Sequence, residues 1–342
     1  MREKGCIVSL CVAMLVLAVA NILWGSLSIP PESVVRIIMG GDEASNPAWR
    51  YIVLESRVPQ TITALLCGAA LSTCGLMLQT LFRNPLAGPG ILGIDAGANL
   101  GVALVMLLLG GSLSMGKLSM GGYVLVVMAA MVGALAIMLL LLLLSHSLRS
   151  ATMLLIVGVV ISYVTGSVIS LLNYSATEEG VHNFIIWGMG NFGSVSMDHL
   201  PLYAGLILVG LAGAMLMIKP LNALLLGENY AANLGVDVRR TRNLLLLGTG
   251  LLTATTTAFC GPISFLGLAV PHIARMVLCT SDHRTLLPGT MLTGACLTLA
   301  CNLLCTQLRA GSVLPINVVT PLIGAPVILY VILKQQRTNH IT

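Results

Sequence analysis

Ten apolar stretches, each close to the length that crosses a bilayer, constrain this chain more than any other feature. They run at roughly 6–25, 58–82, 91–110, 122–144, 151–172, 200–218, 243–261, 264–279, 286–308 and 317–333. A spanning helix needs about 20 predominantly apolar residues. Lipid offers the backbone no partner for its N–H and C=O groups, so a run of this kind crosses as a helix. The expectation is an all-α polytopic membrane protein with about ten transmembrane helices in one transmembrane domain over residues 1–342. Composition enters here: 8% of the residues are charged and 57% hydrophobic, whereas a soluble domain is about a quarter charged. The first stretch follows a short basic start at Met1–Lys4. It is long enough to span and lacks a small-residue cleavage site, which favours a first helix over a signal peptide.

The Lys and Arg residues set the orientation. With the N-terminus inside, twelve of the 17 fall in the cytoplasm: Arg2, Lys4, Arg83, Arg149, Lys219, Arg239, Arg240, Arg242, Arg275, Arg284, Lys334 and Arg337. Arg36, Arg50, Arg57, Lys117 and Arg309 remain outside, where Glu32, Asp42, Glu43, Glu55, Glu178, Glu179 and Asp198 also fall. Both termini are then cytoplasmic. Two outer segments are long. In 26–57, "PPESVVRIIMG" predicts a short helix with Val34, Val35, Ile37 and Ile38 on one face; in 173–199, Trp187 and Phe192 mark an interface.

Gly261-Pro262, Pro271, Pro315, Pro321 and Pro326 interrupt the later spans. Broken backbone at membrane depth survives only where protein or a cavity satisfies it, so bent helices beside a pathway are expected. A faint internal echo joins "LAGPGILGIDAGA" (Leu86–Ala98) to "FCGPISFLGLAVPHIA" (Phe259–Ala274). The spans before them run in opposite directions, the arrangement of an inverted repeat, which is a transporter signature.

Catalytic chemistry is hard to find. The six histidines are dispersed, and no HExxH, nucleophile elbow or Walker A loop occurs. No cofactor follows from the nine cysteines, which form no CxxC pair and fall mostly in apolar runs as small hydrophobes. Asp95 is the one acid well inside a span, and a proton relay would use several. It reads as a residue of a helix start, and His272 in "VPHIAR" as a hydrogen-bonding group near a helix end. The cations are scattered over short loops, which excludes a nucleic-acid surface.

One polar segment stands out. "LLGENYAANLGVDVRRTR" (Leu225–Arg242) carries five of the 29 charged side chains between two apolar runs. Gly227 closes the sixth span, Glu228 to Leu234 favours a short helix with Ala231, Ala232 and Leu234 on one face, and Gly235 stops it as a left-handed cap. A short helix with a small apolar face suits insertion into a partner's groove; a solvated loop is the other reading.

At this segment the chain resembles the cytoplasmic coupling region of the FecCD-type permeases, which serve ABC importers of iron chelates and cobalamin. The likeness continues through "GPISFLGLAVPHIARMVLCTSDHRTLLPG", "LPINVVTPLIGAPVILYVILK" and, upstream, "SRVPQTITALLCGAALSTCGLMLQTLFRNPLAGPGILGIDAGA". The resemblance implies a type II importer permease fold. It also implies pairing with a second copy around a central path, two cytoplasmic ABC ATPase subunits below, and an extracytoplasmic binding protein above. Gly227, Glu228, Ala231, Ala232, Leu234 and Gly235 then fall on the coupling helix, and hydrolysis belongs to the partner. The family's outer arginines imply docking roles for Arg57 and Arg309, although Gln60, Thr306, Val313 and Asn317 depart from the family's residues at four outer positions. The substrate implied is a metal chelate, a ferric siderophore or haem first and cobalamin as the alternative. An ion-coupled secondary carrier or channel fits the composition too, but not the coupling segment; a membrane enzyme lacks a polar cluster.

Overall fold

The computed structural model describes residues 2–40, 46–108, 120–148, 151–307 and 313–339. Among them there are helices and no strands. At the N-terminal end, α1 (Arg2–Leu23) is followed by two short helices, α2 (Pro31–Ile38) and α3 (Pro47–Tyr51). A π-helical turn then leads into α4 (Val58–Phe82). Next come α5 (Ile94–Leu108), α6 (Met120–Ser147), α7 (Ala151–Ser175) and α8 (Glu178–Gly188). The C-terminal half holds α9 (Leu200–Leu216), α10 (Ile218–Leu225), α11 (Glu228–Asn233), α12 (Val238–Cys260), α13 (Leu266–Leu278), α14 (His283–Gln307) and α15 (Ile316–Asn339).

Each of the ten apolar stretches is helical, but they are not equal spans. Six helices among the described residues are long and apolar enough to cross, and α9 with α10, bent by 51°, makes a seventh. The apolar parts of α5, α13 and α15 are shorter. At about 1.5 Å per residue, the 13 residues of α13 cover only part of a hydrocarbon core. Gly88-Pro89 leads into a 3₁₀ turn before α5 and Gly261-Pro262 precedes α13, but Pro271, Pro321 and Pro326 do not interrupt their spans as expected: α13 and α15 run on through them.

α4 is the axle. It packs against α14, α12, α13 and α9, and nearly all of its residues are buried. Small residues allow the approach, as expected where lipid removes the hydrophobic drive and contact must come from packing. A Cβ on Gly68 would collide with the Gly294 carbonyl, and one on Gly75 with the Gly267 carbonyl.

A satellite core is a small cluster of Ile29, Val34, Ile37 and Val53 under α2 and α3. Here the predicted face splits. Val34 and Ile37 are buried, while Val35 and Ile38 are about half exposed, because the i, i+3 pair turns inward and its neighbours lie a third of a turn away.

Candidate functional site

The charged segment Leu225–Arg242 folds as the short helix α11 held between α10 and α12. Gly227 opens it with φ +109°, at a point where an added Cβ would touch the Arg83 guanidinium. At the other end the Gly235 N–H donates to the Ala232 carbonyl at 2.9 Å and the Val236 N–H to the Ala231 carbonyl at 3.0 Å. With Gly235 at φ +83°, that pair of bonds is a Schellman cap, which a residue with a Cβ would strain. The predicted stop is therefore where the sequence puts it, one residue beyond the C-cap Leu234.

Glu228, Asp237 and Arg242 have local structural partners. Asp237 caps α12 by accepting from the Arg240 N–H at 2.9 Å. Arg242 is buried and lies 3.7 Å from the Glu228 carboxylate, bridging the two ends of the segment. Its guanidinium also donates to the Leu148 carbonyl at 3.4 Å, beyond the end of α6.

The apolar face differs from the expectation. Ala231 is fully buried against the rest of the chain, whereas Ala232 and Leu234 are exposed. Ala231 turns inward, about a third of a turn from Ala232, and its small side chain lets α11 lie close against α10 and α12. The outward surface consists of Leu226, Tyr230, Ala232 and Leu234. α11 also borders an open cleft of about 930 Å³ with Arg83 at the end of α4 and Thr152 at the start of α7.

A polar clamp that sequence reasoning missed fastens this segment to the bundle. Asn222 of α10 accepts from the His283 backbone N–H at 2.9 Å and faces its Nδ1 at 2.8 Å, through one amide oxygen. An amide oxygen only accepts, so Nδ1 carries the proton. Nε2 meets the Thr80 hydroxyl of α4 at 3.0 Å. The Asn222 amide nitrogen donates to Asp282 at 2.6 Å. The Arg284 N–H and then the Asn222 amide stabilise that carboxylate and hold its pKa below the usual range. Alongside, Gln79 accepts from Arg275 at 2.8 Å and donates to the Leu268 carbonyl at 3.2 Å. The available signal was a lone Asn inside the short apolar run "IKPLNALL".

At the opposite end, Arg57 does not face out. It is 5% exposed, and its guanidinium donates to the carbonyls of Ile22 at 3.0 Å, Leu23 at 2.9 Å and Leu27. These carbonyls lie at or just past the end of α1, where a helix leaves acceptors unpaired, and a cation there is favourable. Within this chain Arg57 therefore acts as a cap on the end of α1. Arg309 lies outside the described residues. Gln60 donates to Asn302 at 3.0 Å, and Asn302 to Asn21 at 2.8 Å, forming a polar file between α4, α14 and α1. Asn317 is a clasp: its amide donates to the Gly188 and Pro262 carbonyls and accepts from the Ser264 N–H, joining α8, α15 and the α12–α13 break.

The two echoed segments meet. Gly88, Pro89 and Gly90 line one small cavity with Ile263, Ser264 and Phe265, and Asp95 lies at its edge. Asp95 sits in the first turn of α5 and accepts from the Thr257 hydroxyl at 2.7 Å. His272 pairs through Nε2 with the Pro85 carbonyl at 2.9 Å, tying α13 to the loop after α4. Among the described residues no three His, Cys, Asp or Glu side chains converge as metal ligands.

Comparison with known proteins extends along the whole chain. The FecCD transport family matches residues 13–334. The vitamin B12 import system permease protein BtuC of Citrobacter koseri is 37% identical over 326 residues, covering 93% of this chain and 96% of that one. The protein of the same name from Salmonella typhi is 38% identical over 285 residues, 83% of this chain and 84% of its own. A solved chain described as a metal-chelate type ABC transporter in an inward-facing conformation superposes with a TM-score of 0.82 at 29% identity, covering 97% of this chain and 99% of that one. With the helix order, the broken spans and the exposed α11 all in place, the chain belongs to the FecCD transport family, the transmembrane permeases of ABC importers.

Proposed function

We propose that this permease imports a cobalamin-type corrinoid, working with a second copy of itself, two ABC ATPase subunits and an extracytoplasmic binding protein. The observation that carries the substrate is the end-to-end likeness to permeases named for vitamin B12 import, 37% identical over 93% of this chain. It moves the choice away from the ferric siderophore or haem that the sequence first suggests and toward the cobalamin alternative.

α11 is the coupling helix in this reading. Its outward surface of Tyr230, Ala232 and Leu234, with Gly227 and Gly235 as rigid ends and Glu228 tied to Arg242, presses into a groove of the ATPase. The Asn222–His283–Thr80 clamp passes that push from α10 to α14 and α4. The end of the bundle bearing α11 is cytoplasmic, as the Lys and Arg bias favours. On the other side Arg309 remains the candidate for binding-protein contact. α7, with Tyr163, Val164 and Leu171 exposed, offers the second copy an uncovered apolar surface.

Uptake decides the substrate. A strain whose only such system contains this permease should accumulate labelled cobalamin and fail to accumulate ferric siderophores or haem. Accumulation of an iron chelate without cobalamin would reverse the assignment. Uptake by the purified chain alone, driven by an ion gradient, would replace the importer with a secondary carrier. Cysteine labelling from outside, in a background free of native cysteines, should modify position 179 and spare position 240; the reverse would invert the topology.

A further inference from the structure

Where α6, α9 and α12 meet, the outside of the bundle carries an open groove of about 460 Å³ lined by no polar side chain. Leu135 and Met138 of α6, Gly210 and Gly213 of α9, and Leu247 and Gly248 of α12 are among its walls. Most helix glycines in this protein have a neighbour that demands them. A Cβ on Gly210 would meet Leu252, and those of α4 would strike carbonyls of neighbouring backbones. Gly213 and Gly248 have none, since a Cβ on either would meet no atom within 4 Å. Glycine weakens a helix interior, so here it leaves a trough that the protein itself does not fill. Even an engineered apolar cavity of about 150 Å³ stays dry. A larger one facing hydrocarbon takes an apolar chain.

Helical register gives the groove a charged end. Leu244, Leu247, Gly248 and Leu251 line it, and Arg240 lies one turn before Leu244 on the same face of α12. On the other wall Met217 lines the groove, the chain then bends by 51°, and the second residue of α10 is Lys219. Both cations are exposed.

We propose that this groove is a binding site for an anionic glycerophospholipid, with one acyl chain in the trough and its phosphate against Lys219 and Arg240. Bilayers supply acyl chains everywhere, so the groove alone would take any lipid. The two cations select a net negative headgroup, since phosphate oxygens accept charge-assisted hydrogen bonds from them. The site lies between α9 and α12, the two spans that α10 and α11 connect, so an occupied groove fixes the spacing of the helices that carry the coupling segment. That this end faces the cytoplasmic leaflet rests on the orientation proposed above.

The test measures lipid directly and needs no transport. The purified permease–ATPase complex, stripped of lipid in detergent, is titrated with phosphatidylglycerol or phosphatidylcholine of identical acyl chains, with retained lipid counted by native mass spectrometry and melting followed in parallel. Phosphatidylglycerol should be retained and raise the melting temperature, with phosphatidylcholine about tenfold weaker. Gly213→Leu combined with Gly248→Leu puts side chains into the trough from two positions where an added Cβ meets no atom within 4 Å. It should abolish retention while leaving the lipid-free melting temperature unchanged or higher. Lys219→Gln with Arg240→Gln should keep some binding and remove the preference for phosphatidylglycerol. Equal retention of both lipids by the unmodified complex, or undiminished retention by the leucine variant, would overturn the site. So would dissociation of the two permease copies in the leucine variant, which would make this face a contact between copies. A failed cobalamin uptake assay would leave these outcomes untouched.

Discussion

α4 and α7 are both 25-residue apolar helices, yet they live in different surroundings. The apolar span containing α4 is 89% buried inside the chain and that of α7 is 22% buried. Their glycines show the same divide: Gly75 of α4 touches the backbone of α13, whereas Gly166 of α7 has nothing within 4 Å. The difference separates what holds the permease together from what it offers to others. α4, with the clamp at its C-terminal end, is the packed frame; α7 and one side of α11 leave apolar surface uncovered within this chain.

The sharpest break of that comparison is a pair of matched substitutions. Gly75→Leu should drive α4 from α13 at about 3 kcal/mol or more, because overpacking against backbone cannot be relieved by a rotamer change. Monodisperse yield should collapse. Gly166→Leu should fold at normal yield and lose self-association and transport instead. Equal yields from both would erase the distinction between frame and surface.

A second pair probes α11. Ala231→Trp should destabilise the permease itself by about 1–3 kcal/mol, seen as a lower melting temperature without any partner present. Ala232→Trp should leave melting unchanged and remove binding-protein-stimulated ATP hydrolysis. If Ala232→Trp stimulated and transported normally, α11 would be a solvated helix with no partner groove. Gly235→Val should behave like Ala231→Trp, since a β-branched residue in the left-handed region costs about 1–2 kcal/mol.

Asn222→Ala tests the link between frame and surface. It leaves the His283 N–H without its acceptor, at about 1–3 kcal/mol. If the clamp transmits motion, the ATPase should remain bound with basal hydrolysis intact, while stimulation by the binding protein and uptake fall together. Loss of stability with stimulation preserved would make the clamp structural only.

The smallest effect concerns pH. The Asp282 carboxylate is held below its ordinary pKa by the Arg284 N–H and Asn222. A depressed carboxylate contributes stability that is fully present above its unfolded value of about 3.9 and is lost as pH falls through the folded value. Melting should therefore be insensitive to this group from neutral pH down to about 5. Asp282→Asn should narrow the difference between pH 7 and more acidic solutions only slightly, because the group is exposed.

Several features of the site were legible beforehand because they depend on local chemistry. Gly235 ends α11 where a left-handed residue was expected, and Asp95 and His272 occupy the helix-start and hydrogen-bonding positions their neighbours suggested. Arg57 marks the limit of local reading. Its sequence position at the end of a span is the same whether the side chain reaches away from the bundle or folds back onto carbonyls at and just past the end of α1, 30 or more residues away. Asn222 and His283, 61 residues apart, are joined only by the bend between α9 and α10, which no local pattern announces.

The sequence by itself determined the ten apolar helices, the break at Gly261-Pro262 and the stop at Gly235, because bilayer thickness and backbone sterics act on each segment alone. Only the tertiary structure decided which faces are covered. In lipid, a helix side facing a neighbour and one facing acyl chains are equally apolar, so hydropathy carries no mark of direction. Close approach of α4 to α13 and α14, the inward turn of Ala231 and Arg57, and the empty trough at Gly213 and Gly248 emerge when the helices pack, since each depends on a second segment whose position no single stretch specifies.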